Sequence, residues 1–168
     1  MRQRRGFLAG ISALILAAAP AGCYGFAGGG LPPTIKTVAI LPFDNQTSEP
    51  TLTQEINTAV RDAVESRLGL RQAGQSQADA IVRGSITRYE PDLPVAYSGD
   101  NKQVNVTRRL VQIAVSVEIT DQRRNKPLWQ RNSLVVEGDY PSGREAEGRR
   151  KALDQLVTNI VEGAQSQW

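Results

Sequence analysis

Histidine is absent from this chain of 168 residues, cysteine occurs once, and aromatic residues make up 5%. Without histidine the commonest general base is missing, and with it the Ser–His and Cys–His nucleophile pairs. A single cysteine leaves nothing from which to build a Cys/His zinc site. An enzyme built on this chain would have to run on carboxylates alone; the expectation is a protein that is not an enzyme and carries no cofactor or metal. Acidic residues are also missing from the start of the chain, where Asp44 is the first. The 20 basic against 17 acidic residues overstate the charge of the folded part, because Arg2, Arg4 and Arg5 precede it and leave 17 against 17 beyond residue 22. A neutral domain has no electrostatic footing for strong nucleic-acid binding. A phosphate-cradling loop is lacking too, since Gly25, Gly28, Gly29 and Gly30 neither follow a strand nor open a helix.

What is present begins with MRQRR followed by the uncharged, apolar GFLAGISALILAAA. A basic start before a short apolar run is the pattern of an export signal, and the run falls short of the about 20 residues that a membrane span needs. Pro20-Ala21-Gly22-Cys23 comes next. Small residues before a cysteine resemble the lipobox of bacterial lipoproteins, with Pro20 where that pattern prefers leucine. The resemblance implies a signal peptide over residues 1–22 and a covalent lipid on Cys23, which anchors the chain to a membrane. Ordinary secretory cleavage leaving a free thiol is the competing reading of the same segment. Arg4-Arg5-Gly6-Phe7-Leu8 also resembles the twin-arginine export motif, and a general secretory signal fits equally. Tyr24 after the cysteine, where aspartate would favour inner-membrane retention, points to the outer membrane.

Residues 23–33 read as a flexible tether stiffened at its end by Pro32 and Pro33. One domain fills residues 34–168. Thr34 to Pro42 is β-branched and apolar, as a buried strand requires. Phe43 to Pro50 has the chemistry of a turn. Leu52, Ile56, Val60, Val64 and Leu68 make one helical stripe, with Thr51 and Gln54 as a capping box and Gly69 as a stop. Leu70 to Ala73 suits a short strand. Ala80 to Tyr89 reads as a strand ending near Pro91, and Pro94 to Gln103 as an exposed loop. Val111, Ile113, Val115, Val117 and Ile119 alternate with mostly polar neighbours, which predicts a long strand covered on one face. Asp121 to Pro127 is a hairpin turn, and Leu128 to Gly138 the returning strand. Ser142 with Glu145 caps a last helix whose inner face carries Leu153, Leu156, Val157, Ile160 and Ala164, with Trp168 closing the stripe. The order β-α-(β)-β-β-β-α predicts an α+β fold, two helices on one face of a mainly antiparallel sheet of four to five strands.

Asp44, Glu90, Asp92, Glu118, Asp121, Glu137 and Asp139 fall at strand ends or on polar faces, with no spacing that marks a catalytic pair. Arg108 and Arg109 begin the long strand, whereas Arg123, Arg124 and Lys126 lie in its hairpin turn and Arg131 on the return. These six are candidates for contact with the phosphates of an anionic lipid; charge that keeps an edge and a turn soluble is the alternative. Arg144, Arg149, Arg150 and Lys151 read as the solvent face of the last helix.

Cys23-Tyr24-Gly25-Phe26, Leu31-Pro32-Pro33, Ile35-Lys36-Thr37-Val38-Ala39-Ile40 and Phe43-x-Asn45-x-Thr47-x-Glu49-Pro50 together resemble the lipopolysaccharide-assembly lipoproteins of the LptE family. Ala78-Asp79-Ala80-Ile81-Val82, Gly84, Ile86, Tyr89 and Leu128-Trp129 extend the resemblance over most of the domain. Tyr24-Gly25 departs from it, standing where Gly-Tyr is usual. The resemblance implies two helices on a sheet and a non-catalytic role at the outer membrane. There the domain would face the periplasm or a barrel lumen, partnering an LptD-like β-barrel and interacting with lipopolysaccharide. Val38-Ala39-Ile40-Leu41-Pro42-Phe43-Asp44-Asn45 is shared with curli-secretion lipoproteins and the TolB amino-terminal domain, so an envelope secretion or scaffold component is the alternative.

Overall fold

The computed structural model describes residues 31–100 and 103–166. The expectations for the signal segment, Cys23, the glycines of the tether and Trp168 lie outside the described residues. The elements run β1 (Thr37–Ile40), β2 (Asp44–Asn45), α1 (Thr51–Leu68), β3 (Arg71–Gln72), β4 (Ala80–Asp100), β5 (Gln103–Asp121), β6 (Lys126–Pro141) and α2 (Glu145–Ser166). They form a six-stranded sheet in the order β3-β1-β4-β5-β6, with β2 also on β4, and two helices against it. The α+β expectation holds, with a strand more than predicted. The sheet is mixed: β1 and β2 run parallel to β4, whereas the long β4-β5-β6 meander is antiparallel.

Val111, Ile113, Val115, Val117 and Ile119 of β5 are all buried, so the period of two does decide which face carries the core. Leu52, Ile56, Val60 and Val64 of α1 meet that core, as do Ala152, Leu156, Ile160 and Ala164 of α2. Fully burying such an aliphatic side chain contributes about 1.5–3 kcal/mol. Two backbones also touch. A Cβ on Gly138 of β6 would lie 1.9 Å from the Gly148 carbonyl oxygen of α2, and one on Gly163 would lie 2.2 Å from Trp129 Nε1. Only glycine lets the helix sit this low on the sheet.

Four expectations need correction. Phe43 to Pro50 is not simply a turn, because Asp44 and Asn45 pair with Ser85 and Ile86. Pro42 interrupts the ladder for want of an N–H, Phe43 is buried, and a Cβ on Gly84 would lie 2.4 Å from its ring. Secondly, Pro94 to Gln103 is no loop. β4 continues to Asp100 with register shifts on either side of Pro94, and pairs with β5 out to Asp100↔Gln103. β2 has ended at Asn45, opposite Ile86, so this stretch of β4 is an edge, where proline is tolerated. The third concerns the caps. Pro50 occupies the cap of α1 without a side-chain bond, and the Glu49 carboxylate instead accepts Thr51 N–H and hydroxyl at 3.3 and 2.6 Å. That pairing, led by the hydroxyl, holds Glu49 below its ordinary carboxylate range. α2 starts at Glu145, too late for Ser142 to cap it. Gly69 does end α1, at φ 67°. Fourthly, Arg149 is not simply on the solvent face: it bonds Glu55 of α1 at 3.3 Å and Tyr89 of β4 at 3.4 Å.

Candidate functional site

The β4–β5 ladder has two ends. At the turn end β5 passes into β6 through residues 122–125, and β1 begins beside it, since Val38 pairs with Ala80 and Ala80 with Asp121. Two buried carboxylates organise this end. Asp79 Oδ2 accepts Lys36 N–H and Thr37 N–H at 3.0 Å each and the Thr37 hydroxyl at 2.9 Å. Its Oδ1 takes Arg123 Nη2 at 2.8 Å, and its carbonyl accepts Gln122 N–H at 2.8 Å. The Lys36 N–H, then the Thr37 hydroxyl, hold Asp79 below the ordinary carboxylate range. Asp121 accepts Arg123 N–H and Arg124 N–H at 2.9 and 3.0 Å, closing the turn, in which Asn125 has φ 50°. Asp79 and Asp121 expose 8% and 4% of their side chains, Arg123 and Arg124 75% and 62%. The acids face inward and the cations outward.

At the other end β6 stops at Pro141, opposite Arg108, and β4–β5 projects onward as a two-stranded arm from Ala96↔Arg108 to Asp100↔Gln103. Val95 and Tyr97 are exposed upon it. Such a ribbon is marginal alone, and side chains clamp its base. Tyr140 is buried and donates to the Pro91 carbonyl at 2.5 Å; its burial, then Asp92, pushes the phenol up. Arg109 pairs with Asp92, and Arg108 with Asp139, which Lys151 of α2 also holds at 2.9 Å. Behind the clamp, Tyr89 donates to Glu145 at 2.7 Å; burial, then that carboxylate, raises its phenol far above the ordinary value.

Of the sheet's second face, Ser85, Ser116, Gln130 and Asn132 line a shallow depression of about 260 Å³ beside the Arg83–Glu118 pair at 3.0 Å. Arg83 holds Glu118 below its ordinary value. Between the helices runs a groove of about 900 Å³, with Ala59, Ala63, Leu153 and Val157 among its lining and Glu55, Asp62, Arg67 and Arg149 along it.

The six basic candidates are thus not brought together. Arg108 and Arg109 belong to the clamp, and Arg123, Arg124 and Lys126 crown the turn end. Arg131 lines a separate small cavity with Trp129, Leu134 and Glu162. Sequence reasoning missed Asp79 as an organiser; its one signal was a carboxylate set between two alanines at the start of a strand. Of the seven carboxylates considered for chemistry, Asp121 is engaged with backbone N–H groups and Asp92, Asp139 and Glu118 with cations, while Asp44 and Glu137 accept from the side chains of Gln46 and Gln112. Among the described residues no group of three or more Cys, Asp or Glu side chains is placed to hold a metal, and no helix is long and apolar enough to cross a membrane.

This fold is shared with solved bacterial proteins, a lipoprotein among them. XCC0632 from Xanthomonas campestris matches with a TM-score of 0.57 at 13% identity, over 82% of this chain and 90% of that one. The PelC dodecamer subunit from Paraburkholderia phytofirmans matches at 0.53 and 13%, over 82% and 94%. The uncharacterized lipoprotein B from Nitrosomonas europaea matches at 0.53 and 12%, over 83% and 86%. No curated protein matches the chain. The class is therefore a two-helix, single-sheet α+β domain of a kind found in lipoproteins. The family follows from the sequence itself: the model of LptE, lipopolysaccharide-assembly, matches residues 35–163, and the chain belongs to that family.

Proposed function

We propose that this chain is an outer-membrane lipoprotein, acylated on Cys23, that partners an LptD-like β-barrel in assembling lipopolysaccharide at the cell surface. The family match over residues 35–163 carries the reading. The export-signal pattern ahead of Cys23 supports the anchor, and a domain without histidine, in which Asp121 is engaged with N–H groups and Asp92, Asp139 and Glu118 with cations, suits a partner that works by contact rather than catalysis. The open sheet face, with its hydroxyls and amides, and the projecting arm are surfaces on which a second protein can be gripped. Crosslinking in membranes followed by affinity capture of the chain tests this. Recovery of a large β-barrel of the lipopolysaccharide export type is expected; recovery of Tol or curli components alone would replace the proposal with the secretion or scaffold reading.

A further inference from the structure

The two ends of the ladder differ in net charge, and the difference lies where the chain joins its N-terminal segment. Three stretches build the turn end: residues 31–37 leading into β1, residues 71–78 from β3 onward, and residues 122–127 through the hairpin turn. Together they hold Lys36, Arg71, Arg123, Arg124 and Lys126, and not one Asp or Glu. They adjoin in space. Thr37 pairs with Arg71, Asp121 with Lys126, and Asp79 joins Lys36 N–H to the Arg123 guanidinium. The acids nearby offset part of this charge: Asp79 and Asp121 are buried, Asp79 against Arg123 at 2.8 Å, and exposed Glu65 of α1, which accepts from Gln72 Nε2 at 2.6 Å, keeps its charge, so the excess outward is carried by Lys36, Arg71, Arg124 and Lys126. Lys36, Arg71, Arg124 and Lys126 are all exposed, and only Arg124 has a carboxylate within 4.0 Å among the described residues.

We propose that the turn end, through Lys36, Arg71, Arg123, Arg124 and Lys126, docks on the anionic phospholipid headgroups of a bilayer and aims the β4–β5 arm away from it. The place of the preceding chain argues for this occupant. Cys23 lies eight residues before Leu31, and eight extended residues span at most about 27 Å. The proline end of the tether is already seated here, with Pro32 buried and its carbonyl accepting Ile35 N–H at 2.8 Å. A cation acts on a charged surface only within about a Debye length, roughly 8 Å at physiological salt. A leash of that reach at this end lets these cations come within that range, and one at the arm would hold them farther off. The inference rests on the preceding reading only for the nearness of the bilayer.

The test uses the full chain with Cys23→Ser, so that acylation and a barrel partner play no part, and measures co-sedimentation with vesicles of phosphatidylcholine with and without phosphatidylglycerol. Residues 1–22, with Arg2, Arg4 and Arg5, contribute equally to every variant, so the readout is the difference in anionic increment between variants. Binding should rise with phosphatidylglycerol and fall with salt. The double variant Arg124→Glu, Lys126→Glu should lose about tenfold or more of it. The equal charge change Arg61→Glu, Arg150→Glu, on the exposed helix surface, should keep most of it. Unchanged thermal unfolding of each variant excludes misfolding, and Arg123 is left alone because it pairs with Asp79. No anionic increment, an equal loss in both double variants, or a loss seen only with lipopolysaccharide aggregates and not with phosphatidylglycerol would each overturn the proposal. Failure to capture a barrel would leave it standing.

Discussion

The two ends of the β4–β5 ladder use the same residue types to opposite effect. At the arm end Arg108 and Arg109 face Asp139 and Asp92, which are themselves 42% and 59% exposed, so charge is matched at the surface. At the turn end the carboxylates are drawn inside, where they organise N–H groups and a hydroxyl, and the cations stay outside. Composition alone does not separate a clamp from an electropositive face. What separates them is whether the acid is exposed or buried.

The comparison can be broken most forcefully at Asp79. Asp79→Ala removes the acceptor of two N–H groups and a hydroxyl and the partner of Arg123, and should cost about 3 kcal/mol in urea unfolding, because buried donors are left unsatisfied. The same residue gives a pH signature. Its folded pKa is depressed, so its contribution is fully present above the unfolded value, near 3.8, and is lost as pH falls through the lower folded value. Asp79→Asn should flatten the stability profile in that acid window and leave its slope unchanged from neutral pH to about 5. At the arm end a smaller effect is expected. Tyr140→Phe takes away the hydroxyl that holds the Pro91 carbonyl, and should cost about 1 kcal/mol. Hydrogen exchange of arm amides should then quicken about fivefold relative to the core. The smallest change is Asp92→Ala, less than about 1 kcal/mol in the same unfolding assay, as for other exposed ion pairs. Equal costs for Asp79→Ala and Asp92→Ala would erase the distinction between the ends.

Much of the fold was legible because burial leaves a period in the sequence. The apolar stripe of α1 and the alternation in β5 both predicted the buried face correctly. The arm was not legible, since Pro91, Pro94 and Gly99 are loop chemistry locally, and only the absence of a neighbour beyond β2 makes them acceptable in a strand. β2 hid in the same way, behind Pro42 and a run of polar residues. The N-terminal caps failed for a different reason: a helix boundary moved by one or two residues assigns the capping role to another side chain, at α1 to Glu49. As for the site, the basic residues could be read directly, but their pairing could not. Arg123 meets Asp79 only because β4 and β5 align Ala80 with Asp121. Likewise Arg149, outward-facing by helical period, turns back to Glu55 and Tyr89 because α1 and β4 come close.

The backbone contact between Gly138 and Gly148 limits how the molecule can change over generations. An ill-fitting leucine in an ordinary core can be rescued by trimming its neighbour, but here both partners have already been reduced to hydrogen. A larger residue at either place could be accommodated only by lifting the whole of α2, and Trp129 against Gly163 pins that helix again about 22 Å further along. Two such pins leave the helix no pivot, so drift in this lineage should spare its seat while the surfaces around it vary.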